Sequence, residues 1–115
     1  MPDMQRIIET VVEAAASADN GRAAEIVVKD DWLRQTVIAM RAGAVLSDHA
    51  SPPAASVYVI SGRIRIKGQQ PSELGAGVIH ALDHFRHGVE ALADTVFLLT
   101  TVTSQQTGSH WEQSV

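Results

Sequence analysis

The stretch Gly43-Ala44-Val45-Leu46-Ser47-Asp48-His49-Ala50-Ser51-Pro52-Pro53-Ala54-Ala55-Ser56-Val57-Tyr58-Val59-Ile60-Ser61-Gly62 decides how the chain reads. A glycine opens it, a short apolar run leads to a lone histidine, and two prolines break the backbone. A second apolar, β-branched run from Val57 to Ile60 then ends on another glycine. Short β-branched runs bounded by Gly, Pro, Ser and Asp are the signature of strands separated by turns.

Reading outward from it extends the pattern. On the C-terminal side, Arg63 to Lys67 alternates charged and apolar residues with period two. Ser56–Ile60 and Arg63–Lys67, joined by Ser61-Gly62, are expected to form a hairpin. Residues 68 to 77 hold Pro71 and three glycines and read as a loop, with Leu74 as an anchor. Val78–Leu82, Val89–Leu92 and Thr95–Thr103 read as strands, with Asp94 at the turn between the last two. On the N-terminal side, Arg41-Ala42-Gly43 is a turn, Leu33–Met40 a half-buried strand and Glu25–Lys29 a short β-branched one. Before these, Met4, Ile7, Ile8, Val11, Val12, Ala15 and Ala18 recur at helical spacing, Asp3 is a candidate cap and Asn20-Gly21 a stop. The spacing predicts a helix over 3–18 that covers one end or edge of a sheet. A partner-binding helix is the other reading.

Six to eight short strands behind one helix, with no strand–helix alternation after residue 24, point to an all-β sandwich or barrel. The expected organisation is a helix and linker over 1–23, a barrel over 24–103 and a tail over 104–115 that carries Trp111.

Composition narrows the function classes. The chain has 115 residues, 45% apolar, which suits one packed core. Nine basic residues against thirteen acidic ones leave a formal charge of −4, so a nucleic-acid partner is not expected. The basic stripe Arg63, Arg65, Lys67 reads as the wet face of a strand. With no cysteine there is no thiolate metal site and no cysteine nucleophile. No apolar run reaches membrane-spanning length and the start is acidic and interrupted, so the expectation is a soluble cytoplasmic protein with no membrane partner. There is no Gly-x-Ser-x-Gly elbow, no Walker loop and no dinucleotide fingerprint.

The frame resembles the first motif of the cupins: a glycine, five residues, His-x-His, three or four residues, a glutamate, six residues and a glycine. Gly43, His49 and Gly62 match. Ser51 stands at the second histidine position and Ala55 at the glutamate position. The second motif is matched by Gly77, with Asp83 in place of proline and His87 one residue early. The resemblance covers about residues 24–103 and is to small bacterial single-domain cupins of the RmlC-like, cupin-2 type. It implies a double-stranded β-helix, or jelly-roll barrel, with an N-terminal α-helix.

The resemblance also implies a site. Neutral imidazole suits zinc, iron, nickel or manganese, and a catalytic metal needs about three protein ligands with an open position. His49 and His87 match ligand positions. His84 and His80 are the candidates for a third ligand. In the other reading, His49 and His87 are hydrogen-bonding groups in the barrel mouth. Ser51, Tyr58, Phe85, Met40 and Phe97 are candidate pocket residues, or ordinary barrel packing. The leading expectation is a protein that binds a small molecule in the barrel, with or without a divalent metal. The alternatives are a metal-dependent dioxygenase or isomerase, and a structural or interaction protein with a degenerate site. Exposed strand edges suggest a homodimer.

Overall fold

The computed structural model describes residues 2–49, 54–68, 70–82 and 87–103. One helix, α1 (Met4–Ser17), precedes nine strands: β1 (Arg22–Asp30), β2 (Leu33–Met40), β3 (Val45–His49), β4 (Ala54–Ser61), β5 (Arg63–Lys67), β6 (Ser72–Gly75), β7 (Ile79–Ala81), β8 (His87–Ala91) and β9 (Thr95–Val102). They form a five-stranded sheet in the order β1-β2-β9-β4-β7 and a four-stranded sheet in the order β3-β8-β5-β6. The pairings are antiparallel. This is the expected all-β jelly roll behind one helix.

The helix forms because its ends and one stripe are satisfied. The Asp3 carboxylate accepts from the backbone N–H of Gln5 at 3.1 Å and Arg6 at 3.4 Å. Ile7, Val11 and Ala15 repeat every four residues and are buried. They pack on Val37, Ala39 and Val96 from the outer face of the five-stranded sheet. The helix therefore covers a face, where the sequence suggested an end or edge. This makes β2 a strand buried on both sides: Ile38 and Met40 point into the barrel, and Val37 and Ala39 meet the helix. The half-buried reading of β2 is corrected, because a strand with two apolar faces shows no alternation.

The expected hairpin of β4 and β5 does not form. β4 pairs with β7 and β9, whereas β5 pairs with β6 and β8 in the other sheet. Gly62, at φ 88°, is where the chain leaves one sheet for the other. A turn signal between two alternating runs is common to hairpins and to sheet-switching corners, and sequence does not separate them. The expected loop over 68–77 contains β6, an edge strand with poor strand-forming residues, held by β5 and by buried Leu74, which anchors it as expected.

The barrel interior is mostly aliphatic. Leu46, Val57, Val59, Ile64, Ile66 and Leu74 pack with Val89, Leu99 and the ring of Phe97. The outer face of the four-stranded sheet is instead charged. Arg65 pairs with Glu73 at 3.0 Å and Glu90 at 3.3 Å, Arg63 reaches Glu73 at 3.4 Å, and Lys67 reaches Glu90 at 3.6 Å. The basic stripe of β5 is thus the wet face of a strand, neutralised by its neighbours.

Candidate functional site at the open end of the barrel

β8 and β9 leave the same short turn, Leu92–Asp94, so the two strands define the two ends of the barrel. At the turn end the backbone is locked. The Asp94 carboxylate accepts from Ala42 N–H at 2.8 Å, and Gly43 N–H donates to the Ala91 carbonyl at 2.8 Å. The Thr95 hydroxyl accepts from Arg63 N–H at 3.0 Å. Gly62 sits so close that a Cβ would collide with the Asp94 carbonyl and Thr95 Oγ1. Gly43 and Gly62 therefore belong to the closed end, where they serve the fold.

Moving away from that turn, the inward positions change character. Along β9, Phe97 and Leu99 are followed by buried Thr101, and Thr103 just beyond is also buried. Along β8, Ala91 and Val89 are followed by His87, which is only 6% exposed. On β2, Ile38 lies beside Phe97, Thr36 beside Leu99 and Arg34 beside Thr101. On β4, Ala55 lies beside Thr101. The far end thus carries a belt of polar residues, Arg34, Thr36, His87, Thr101 and Thr103, above an aliphatic core. Among the described residues no fully buried side-chain nitrogen or oxygen lacks a hydrogen-bond partner. The Thr103 hydroxyl and N–H both donate to the Trp32 carbonyl, at 3.3 and 2.9 Å. The Arg34 guanidinium donates to the carbonyls of Asp31 at 2.7 Å and Leu33 at 2.9 Å.

The candidate residues fall into five groups. His49 and His87 are cross-strand partners in the β3–β8 pair, with a register shift between Leu46 and His49. Such bulges near a barrel rim re-aim side chains. His80 is exposed on β7, an edge strand of the other sheet, beside Val57. Met40 and Phe97 are fully buried core residues, so their role is packing. Tyr58 alternates out of the barrel between buried Val57 and Val59 and is 40% exposed, so it does not narrow the interior. The period-two register that buries its neighbours forces it outward. His84, Phe85 and Ser51 lie outside the described residues, as does the tail with Trp111.

Among the described residues no three His, Cys, Asp or Glu side chains converge. Ala55, at the position where the resemblance expects a glutamate, does reach the polar end, beside Thr101. The polar belt itself was not anticipated from sequence. The signal was available: Thr101 and Thr103 fall on the same parity as Phe97 and Leu99, and Thr36 on that of Ile38 and Met40.

No protein-family model matches the sequence, and no curated protein matches it. Solved structures do. A conserved protein of unknown function from Streptococcus pyogenes superposes with a TM-score of 0.69 at 22% identity, over 76% of this chain and 79% of that one. An RmlC-like cupin from Desulfovibrio desulfuricans gives 0.63 at 21%, over 70% and 81%. KdgF from a Halomonas species gives 0.65 at 21%, over 79% and 87%. At such identities the likeness is one of fold and carries no activity with it. Together with the two-sheet topology, it shows that this chain has the fold of the small RmlC-like cupins.

Proposed function

We propose that the protein binds a small polar molecule in the open end of its barrel, with His87 as the fixed polar anchor. One observation carries this reading. Of the buried polar residues, Thr36, His87, Thr101 and Thr103 gather at one end, with Thr95 alone at the other, and barrel mouths with an apolar floor and a few convergent polar groups are common ligand sites. A ligand there must match the donors and acceptors of these groups, because a buried polar group left unmet costs binding free energy.

A metal-dependent enzyme of the dioxygenase or isomerase class is the second reading, favoured by the His49–His87 register pair. Two imidazoles on facing strands fit part of a site for zinc, iron, nickel or manganese, and a third ligand would come from His84 or His80. Such a metal would polarise a substrate oxygen when bound. The chain's own part would be orientation of the substrate by the hydroxyls of Thr36 and Thr101.

Two properties of the whole molecule belong to the proposal. The chain forms a homodimer, a reading supported by its exposed apolar residues, of which Ile79, 70% exposed, lies directly beside Tyr58. It works in the cytoplasm, which the cysteine-free composition fits. Light scattering at the mass of one chain would end the first of these.

The decisive experiment combines a ligand screen with metal analysis on protein purified without a nickel column. Sugars, keto acids and aromatic acids are tested by thermal shift. One class is expected to raise the melting temperature by about 4 °C or more well above its Kd, and His87→Ala to abolish the response. No response from any class overturns the small-molecule reading. Stoichiometric metal in wild type, lost in a His49→Ala, His87→Ala double variant, would establish the metal reading.

A further inference from the structure

A cleft opens outside the barrel, between the C-terminal half of α1 and the outer face of the five-stranded sheet. It encloses about 210 Å³. Three alanines form much of its walls, Ala15 and Ala16 on the helix and Ala39 on β2, with Val12, Met40 and Val96 beside them and the polar residues Ser61 and Thr95 also lining it. Protein interiors seldom leave a void of this size, because facing side chains normally interdigitate. Here alanines line both sides and the gap stays open. An apolar cavity of roughly 150 Å³ holds a benzene-sized molecule, so this cleft has room for a branched aliphatic group and the atom that bears it.

The rim carries both signs of charge. Arg41 and Asp94 border the cleft and also an adjoining depression of about 460 Å³ shared with Asp19 and Asn20. The fold holds both groups in place. The Arg41 guanidinium donates to the carbonyls of Ala18 at 3.0 Å and Ala16 at 3.4 Å, at the C-terminal end of α1. The Asp94 carboxylate accepts from Ala42 N–H at 2.8 Å. A guanidinium has five donors, so donors remain after these two bonds. The helix C-terminus adds partial negative charge at the same rim.

We propose that this cleft is a second binding site, separate from the barrel mouth, for a free amino acid with a branched aliphatic or thioether side chain. The side chain fills the alanine-lined cleft, the carboxylate meets Arg41, and the ammonium meets Asp94 and the last carbonyls of α1. A simple carboxylate would meet Arg41 but bring no cation to Asp94 and Asp19. A simple amine would leave Arg41 unused. Only a zwitterion with an apolar side chain matches the rim and the walls together.

The test is an amide NMR titration of the full chain with L-leucine to roughly 10 mM, a range that detects millimolar affinity. Saturable shifts are expected in the turns 41–44 and 92–95, far from His87. 4-Methylpentanoate, which is leucine without the amine, and isopentylamine, which lacks the carboxylate, are expected to bind at least about tenfold more weakly, since each loses a charge-assisted hydrogen bond. Asp94→Asn keeps an acceptor for Ala42 N–H but removes the charge, and should weaken leucine by a similar factor. Ala16→Leu fills the cleft from an exposed helix position and should abolish binding while the melting temperature holds or rises. The proposal is overturned if wild type shows no saturable shift, if the shifts map to the His87 end, if 4-methylpentanoate binds as tightly as leucine, or if either variant binds leucine like wild type. The barrel-mouth screen can fail without affecting any of these outcomes.

Discussion

The two ends of the barrel are built from the same strands and do different work. At the closed end, Gly43, Gly62, Asp94 and Thr95 tie three turns together through backbone groups, over an interior of Val, Ile, Leu and Phe. At the open end the same strands present His87, Thr36 and Thr101, and the register sets His49 opposite His87. The motif that spans Gly43 to Gly62 therefore has parts with separate purposes. Its glycines answer to backbone geometry at the closed end, whereas Ala55, where the resemblance expects a glutamate, lies at the open end beside Thr101.

The sharpest way to break this contrast is at Gly62. A Gly62→Ala change places a methyl group against the Asp94 carbonyl and Thr95, at φ 88°, and should cost about 2–5 kcal/mol. Gly43 has a similar φ of 87° but open space around it, so Gly43→Ala should cost only about 1–2 kcal/mol. Urea denaturation of both variants tests the difference, and equal losses would mean that the crowding at Gly62 is not what matters. At the open end, Thr101→Val swaps a hydroxyl for a methyl at nearly constant shape. Stability should change by no more than about 1.5 kcal/mol, the net worth of one hydrogen bond, while any ligand response seen with wild type should be lost. A preserved response would remove Thr101 from the site.

The smallest effect concerns the outer charge ladder, and it asks whether the contrast between ends is confined to the interior. Hydrogen bonds from Arg65, and then Arg63, hold the Glu73 carboxyl below the usual carboxylate range. The same contact holds the Arg65 guanidinium above its ordinary value. A folded-state value below the unfolded one means that this contribution is complete above the ordinary glutamate range. It fades as pH falls through the lowered folded value. The pair is exposed, so the effect is small and salt-screened. Wild type and Glu73→Gln should differ slightly at neutral pH and low salt, and converge both in strong acid and in high salt. A difference that persists in acid would assign the effect to packing.

Much of the fold was legible because its signals are local. The stripe Ile7, Val11, Ala15 names a helix, and Leu33–Met40, Arg63–Lys67 and Thr95–Val102 read as strands. What failed was long-range. Ser61-Gly62 marks a turn, but whether the next strand returns to the same sheet depends on β8 and β9, which are distant in the chain. β6 has no strand signal of its own and exists because β5 offers it an edge. The site was legible in part. The two motifs put His49 and His87 on different strands, and only the register makes those strands neighbours. Tyr58 faces outward because its neighbours Val57 and Val59 claim the core.

Taken alone, the sequence determined the elements, the glycine frame and the absence of thiol chemistry, since each depends on residues close in the chain or on composition. Only the tertiary structure decided that the helix lies on a sheet face, that β4 and β5 belong to different sheets, and that the polar residues of three strands meet at one end. Those facts depend on pairings between distant segments, where register rather than propensity chooses which face of each strand looks inward.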